Sequence, residues 1–167
     1  MEFLIIIAIG LFIMITSMIG AKISDKRLRA DLKEIDDKYN KMLEDKGKTI
    51  SRLNEALTSL CGSLNISLSY HDSLGEAAGR ILYHSDIAGR LILDKARIEI
   101  LNRNKDTPYV LAHELGHYMA IKQRNDQTEE GADLEALNLC RMILTPEEQG
   151  YIADELKIYF GNKLDLT

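Results

Sequence analysis

The sequence contains a complete H-E-x-x-H motif at residues 113–117, which spell His-Glu-Leu-Gly-His. In an α-helix each residue advances by about 100°, so the two histidines lie on one face and can bind a single metal ion. Glu114 projects beside them, where it can take a proton from a metal-bound water. The motif therefore requires a helix here, and it predicts a zinc site with His113 and His117 as ligands and Glu114 as general base.

The residues around the motif favour a helix with an apolar face. Thr107 is a suitable N-cap, and Pro108 fits the first helical position. Val110, Ala120 and Ile121 fall on the same stripe as the two histidines. The alternative is a pair of core histidines hydrogen-bonded to backbone. We favour the metal site, because burying two histidines and a glutamate together is costly without a compensating partner.

A catalytic zinc ion has three protein ligands and one open position for water, so a third ligand must come from elsewhere. The acidic residues that follow the motif are Asp126, Glu129, Glu130, Asp133 and Glu135. Residues 129–144 are typical of a second helix, with Thr128 as its cap. Asp133 and Glu135 both border apolar residues on the helical wheel, where a carboxylate is costly unless a positive group meets it. The pattern leaves both open; we favour Glu135 as ligand, and Asp133 could orient a ligand histidine.

Two segments of the chain, residues 112–118 and 135–146, resemble the ImmA/IrrE metallopeptidases. That family has a helix with H-E-L-G-H, followed by a helix of the pattern E-A-x-x-F-A-x-x-L-L-x-P. The match covers about the C-terminal two-thirds of the chain, and Leu139 and Cys140 stand where the family usually has phenylalanine and alanine. The zinc ligands that the resemblance implies are His113, His117 and Glu135, with Glu114 as general base.

The resemblance also implies a function. Members of the family are gluzincin-type endopeptidases, and known members cut repressor proteins that silence mobile elements, phage or stress genes. We therefore expect a Zn²⁺-dependent endopeptidase that hydrolyses a peptide bond in a repressor-like regulatory protein. The alternatives are a zinc hydrolase of a non-peptide amide, and a membrane coiled-coil adaptor whose metal site is structural or vestigial. The intact Glu114 counts against the adaptor, since a structural site needs no general base.

Residues 3–21 form an uncharged apolar run near the start of the chain. As a helix this run would span roughly 28 Å, close to the thickness of a bilayer's hydrocarbon core. A signal peptide fits poorly, because no basic residue precedes the run and Ile19 spoils a small-x-small cleavage site ending at Ala21. We therefore expect a retained transmembrane helix that contacts the lipid bilayer through residues 3–21.

Basic residues follow the apolar run, at Lys22, Lys26, Arg27 and Arg29. The positive-inside rule then predicts that the N-terminus lies outside and the catalytic domain lies in the cytoplasm. From this topology together with the family resemblance, we expect a single-pass protein of the bacterial inner membrane. The formal net charge of −5, without a basic stripe beyond this flank, argues against a nucleic-acid partner. The two cysteines, Cys61 and Cys140, suggest no disulfide framework.

Between the anchor at residues 1–21 and a peptidase domain at 61–167 lies a charged helical segment, residues 22–60. Apolar side chains recur every three or four residues in its first half, at Leu28, Leu32, Ile35, Tyr39 and Met42. One interpretation is a short coiled coil that forms a homodimer through residues 28–60. The other is a single amphipathic helix whose later half, from about Thr49, packs on the catalytic domain.

The middle of the domain carries the strand signals. Residues 79–84 and 89–93 are apolar runs bounded by glycine, while 97–102 alternates polar and apolar residues, with 94–96 as a tight connection. The expected fold class is α+β: a small zincin-like domain with a short antiparallel sheet packed on helices, preceded by a transmembrane helix and a helical linker. If residues 97–101 form an edge strand, a substrate peptide could pair with it. A second catalytic electrophile could be His84, Tyr109, Tyr118 or Tyr151.

Overall fold

The computed structural model describes the backbone of residues 2–88 and 90–160, and the side chains of residues 26–88 and 90–160. The chain divides into two compact units between Leu43 and Glu44. Helix α1 (Glu2–Ser63) contributes to both units. In the first unit the predicted apolar stripe is exposed to solvent, from Leu28 at 57% to Met42 at 46%. The coiled-coil dimer through this stripe stays a prediction.

The membrane prediction rests on residues 3–21, whose side chains lie outside the described part of the chain. Within the described part, no helix is both long enough and apolar enough to cross a bilayer. The anchor and the topology derived from it therefore remain predictions.

The second unit is α+β, as expected. After the end of α1 its elements are β1 (Ser67–His71), β2 (Gly79–Ser85), β3 (Leu91–Leu101), a 3-10 turn (Asn102–Asn104), α2 (Pro108–Arg124), α3 (Glu129–Ile143), α4 (Pro146–Tyr151) and α5 (Ala153–Phe160). The end of α1 belongs to this unit, because Leu53 and Leu57 are completely buried and Thr49 is only 3% exposed. That burial agrees with the amphipathic-helix interpretation from about Thr49 onward.

The three strands form a mixed sheet in the order β1-β3-β2. β2 runs antiparallel to β3, with Gly79 opposite Ile100, but β1 runs parallel to it, with Ser67 opposite Arg97. The expectation of a purely antiparallel sheet was wrong, because β1 was not predicted. This strand has only five residues, Ser-Leu-Ser-Tyr-His, and it is too short and too polar to give a clear strand signal in the sequence.

Strand β3 corrects two further predictions. Residues 94–96 do not connect two strands; they lie within β3, beside the register shift between Leu82 and His84 of β2. Such an irregularity accommodates extra residues without ending the strand. Residues 97–101 are not an edge either, because they pair with β1 on one side and β2 on the other. The outer strands of this sheet are β1 on one side of β3 and β2 on the other.

One face of the sheet packs on α2, with Ile98 and Ile100 of β3 at 0% and 1% exposure. Helix α3 packs closely against α2, and Gly116 makes this approach possible. A Cβ atom at position 116 would overlap the carbonyl group of Ala132 and would lie 3.0 Å from the backbone nitrogen of Ala136. The glycine inside the H-E-L-G-H motif therefore sets how near α3 can come to the two histidines.

Candidate metal centre

Helix α2 places both motif histidines on the same side. Its N-cap is Thr107 with Pro108 in the first turn, as predicted, although the threonine side chain makes no capping hydrogen bond. The imidazole rings of His113 and His117 lie edge to face, with centroids 4.7 Å apart. Burial, together with the neighbouring His113, lowers the pKa of His117. At neutral pH His117 is therefore uncharged and has a lone pair for a metal.

A third side chain completes a group that could hold a metal ion. The ligand atoms of His113, His117 and Glu129 all lie within 4.8 Å of one another. Glu129 Oε2 is 3.1 Å from Nε2 of His113 and 3.5 Å from Nε2 of His117. The glutamate stands in the first turn of α3 and its side chain is 77% exposed, so the group opens to solvent.

The structure does not bring Glu135 into this group. Its carboxylate pairs instead with Arg124, at 3.0 Å between Glu135 Oε1 and a guanidinium nitrogen, and the residue is 8% exposed. The positive group that meets this carboxylate on the apolar arc is thus the guanidinium of Arg124, the last residue of α2. Glu135 as a zinc ligand stays a prediction of the sequence. The helical wheel favours Glu135 because it places this residue among apolar side chains, whereas Glu129 lies at the exposed start of the helix.

Asp133 lies beside His113, where it can orient the imidazole ring. His113 Nδ1 is 2.8 Å from Asp133 Oδ1, so the imidazole can donate its Nδ1 proton to the carboxylate. This hydrogen bond leaves the Nε2 lone pair turned toward Glu129 and His117. Glu129 and Asp133 are four residues apart on α3 and share one face. If Asp133 orients His113, a carboxylate one helical turn before it faces the same histidine, and this spacing is the sequence signal for Glu129.

Glu114 is held in a nearly dry position next to the histidines. It is 5% exposed, and burial raises the pKa of its carboxyl to about 7, while the nearby His113 and the backbone N–H of Ile81 act in the opposite direction. Gly79 of β2 lies against it, because a Cβ there would be 3.0 Å from Glu114 Oε1. A carboxylate with a pKa near neutrality is well suited to accept a proton and return it.

A cleft of about 400 Å³ lies over the three candidate ligands His113, His117 and Glu129, which we call the metal group. Helix α2 contributes His113, Glu114 and His117 to its lining, and strand β2 contributes its inward-facing residues Gly79, Ile81 and Tyr83. The group is therefore reached along the outer strand of the sheet.

Tyr83 is a site residue that sequence reasoning missed. Its hydroxyl group is buried and makes no hydrogen bond within the described part of the chain. Burial, and then the negative charge of Glu114, raise the pKa of this phenol, so it remains a proton donor. The burial pattern of β2 alternates, with Gly79, Ile81 and Tyr83 on the less exposed face. This alternation is visible in the sequence and could have identified it.

None of the four electrophiles considered from the sequence lines this cleft. His84 is exposed, on the other face of β2. The Tyr118 ring is buried and Lys122 lies over it, 5.4 Å from the ring centroid. Tyr151 donates a hydrogen bond of 2.7 Å to Glu147. Tyr109 lines an adjoining cavity.

No family model matches this chain, and neither a curated protein nor a solved structure matches it. The resemblance to ImmA/IrrE peptidases therefore still rests on the two segments quoted from the sequence.

Proposed function

We propose that the chain is a zinc-dependent endopeptidase of the ImmA/IrrE type. The observation that carries the proposal is the spacing of the three ligand atoms beside a buried glutamate. Ligands about 2.1 Å from a tetrahedral zinc ion stand about 3.4 Å from one another. The distances from Glu129 Oε2 to the two Nε2 atoms, 3.1 and 3.5 Å, are close to that value. His113, His117 and Glu129 would hold the ion.

The shape of the group favours catalysis over a purely structural role. A structural zinc site is closed by four protein ligands, whereas a catalytic site keeps one position for water. Three candidate ligands meet here, and one of them, Glu129, is 77% exposed. A buried carboxylate beside the ligands would add only a desolvation cost to a structural site. This combination counts against the adaptor alternative.

In the proposed reaction Glu114 handles the proton. When bound, Zn²⁺ polarises a water molecule and the scissile carbonyl group. Glu114 takes a proton from the attacking water and then delivers it to the leaving amine. The Ile81 N–H and the close approach of Gly79 hold the carboxylate in place between these transfers. The Tyr83 hydroxyl donates a hydrogen bond as charge develops on the carbonyl oxygen.

Strand β2 offers a way to bind the substrate. It is an outer strand of the sheet, and Gly79, Ile81 and Tyr83 line the cleft over the metal group. An extended peptide that pairs with the outer edge of β2 would present its backbone to the cleft. β2 takes the role that the sequence suggested for residues 97–101. A protein substrate, rather than a small amide, is favoured by this open arrangement.

The remaining parts of the proposal come from the sequence. The substrate is a repressor-like regulatory protein, on the strength of the resemblance. The enzyme is held at the cytoplasmic face of a bacterial inner membrane through residues 3–21, on the strength of the apolar run and the basic residues after it.

A trapping experiment tests this function. Glu114→Gln should keep its zinc and bind the natural substrate without cutting it, so that partners captured by this variant appear as fragments with the wild type. Glu130→Gln, a change at the exposed start of α3, is the matched control and should cut as the wild type does. Equal cleavage of the captured partner by Glu114→Gln would refute the proposed mechanism.

A further inference from the structure

A second cavity adjoins the metal cleft. Its volume is about 260 Å³, and it shares Gly79, His113 and Glu114 with the cleft. The rest of its wall consists of Ala78, Tyr109, Val110, Tyr159 and Phe160. Apart from His113 and Glu114, the wall carries no ionisable acid or base other than the tyrosine hydroxyls. We call this space the aromatic cavity.

Packed aromatic rings build one side of the aromatic cavity. The Tyr109 ring stacks on that of Tyr159, with centroids 4.7 Å apart, and meets Phe160 edge to face at 6.4 Å. Tyr109 and Phe160 are each 3% exposed, whereas Tyr159 is 48% exposed. Two rings are thus fixed in the core, and the third forms a solvent-facing rim. A preformed apolar wall of this kind favours an apolar or aromatic group and disfavours a charged one.

The aromatic cavity lies at the start of β2, while the metal cleft continues along that strand. Ala78 and Gly79 line the cavity, and Gly79, Ile81 and Tyr83 line the cleft. Gly79 stands where the two spaces meet: a Cβ there would lie 2.8 Å from Val110 Cγ1 and 3.0 Å from Glu114 Oε1. A peptide along β2 would therefore reach the cavity with a side chain close to the bond that faces Glu114.

We propose that the aromatic cavity is a specificity subsite that takes one large apolar or aromatic side chain of the substrate, next to the bond that is cut. This inference rests on the proposed peptidase function and names the substrate class: protein segments with such a residue beside the scissile bond. The volume suits one side chain, since cavities for whole drug-sized ligands usually begin near 300 Å³.

The test compares two probes on the zinc-loaded full chain: acetohydroxamate, and 3-phenylpropanohydroxamate, in which a benzyl group replaces one methyl hydrogen of the first. Burial of the ring should make the phenyl compound bind about 10- to 100-fold more tightly. Tyr159→Ala should reduce this gain to below about threefold, because it removes the rim, while Tyr159→Phe should retain it. Zinc content and acetohydroxamate affinity serve as controls of the metal site.

The outcomes separate the subsite from the proposed function. If zinc and acetohydroxamate bind but the phenyl group adds less than about threefold, the subsite is refuted and the metal site stands. If Tyr159→Ala still binds the phenyl compound about 10- to 100-fold more tightly than acetohydroxamate, the subsite is also refuted, because the phenyl ring must then bind elsewhere. Failure of zinc itself to bind overturns the proposed function, and the subsite with it. Should Tyr159→Ala not fold, Ala78→Trp, which fills the cavity from an exposed position, should abolish the gain in its place.

Discussion

His113 Nδ1 lies 2.8 Å from Asp133 Oδ1, and this hydrogen bond joins the two helices that carry the candidate metal ligands. It orients the imidazole so that Nε2 faces the carboxylate of Glu129, one turn before Asp133 on α3. The same short stretch of α3 therefore supplies a candidate ligand, Glu129, and the group that orients another candidate ligand, Asp133. The site depends on how α3 is placed against α2 as much as on the motif in α2.

Asp133→Ala should weaken zinc binding without removing it. The His113 ring loses the acceptor for its Nδ1 proton, and loss of such an orienting carboxylate typically costs 10- to 100-fold in metal affinity. Competition with a chromogenic chelator measures the change. Glu130→Ala, at the exposed start of the same helix, should alter the affinity by less than about twofold. Equal effects of the two variants would refute the orienting role of Asp133.

Glu129→Ala and Glu135→Ala should have opposite consequences. Loss of Glu129 removes a proposed ligand, so zinc affinity should fall much further than in Asp133→Ala while the metal-free protein keeps its stability. Loss of Glu135 leaves the Arg124 guanidinium without its carboxylate and should lower the free energy of unfolding by about 1–2 kcal/mol. Zinc titration and urea unfolding of the metal-free proteins measure both. If Glu135→Ala instead abolishes zinc binding, the assignment from the sequence resemblance is correct and Glu129 is not the ligand.

Gly116→Ala should disrupt the contact between α2 and α3. The added methyl group overlaps the Ala132 carbonyl, which is backbone and cannot move aside without shifting the helix. We expect a loss of about 3 kcal/mol in unfolding free energy and weaker zinc binding. Gly47→Ala is the control, because no atom lies within 4 Å of a Cβ at that position in α1. This control should be neutral or stabilising by up to about 1 kcal/mol; a similar loss at both positions would contradict the packing argument.

The stability of the metal-free protein should depend on pH through Glu114. Its carboxyl pKa rises from 4.5 to about 7 on folding, so the folded state favours the protonated form. The stability that the protonated Glu114 carboxyl gives the folded state is fully present below about pH 4.5 and is lost as the pH rises through about 7. Above that pH the free energy of unfolding no longer changes through Glu114. Glu114→Gln removes the free-energy cost of burying an ionised carboxylate. At pH 8 this variant should therefore be more stable than the wild type, by an amount on the order of 3 kcal/mol.

At pH 4 the same variant should match the wild type closely, since both side chains are then neutral. Urea unfolding of the two metal-free proteins at both pH values gives the comparison. A difference between them that does not change with pH would show that Glu114 keeps its ordinary pKa in the folded protein.

Tyr83→Phe should reduce kcat on the captured substrate about 100-fold while zinc content and KM change little, because the hydroxyl acts on charge that develops in the transition state. The free protein should not lose stability, since the hydroxyl makes no hydrogen bond within the described residues. His84→Ala, on the opposite face of the same strand, should leave kcat within about twofold. An unchanged kcat in Tyr83→Phe would remove this residue from the mechanism.

The sequence predicted well where the chemistry is local. The spacing of His113 and His117 places them together in any helix, and Pro108 marks where that helix begins, so these features follow from helix geometry alone. Asp133 could be proposed as an orienting group for the same reason. The α+β class and β2 were also within reach, because the apolar runs and alternation that signal strands lie within single segments.

Tertiary structure decided everything that depends on distances between segments. The helical wheel favours Glu135 as a ligand because it places this residue on the buried face of α3. In the structure Glu135 lies close to the end of α2 and pairs with Arg124, whereas the exposed Glu129 meets the histidines. Alternation marked residues 97–101 as a strand, yet only pairing with β1 on the far side makes β3 central and leaves β2 beside the cleft. The sequence by itself determined the helix and the placement of His113, Glu114 and His117 on it, because a helix repeats its geometry over short separations. Which carboxylate joins them, and which strand and cavity face them, depended on how close separate elements pack, and that distance is encoded in no single segment.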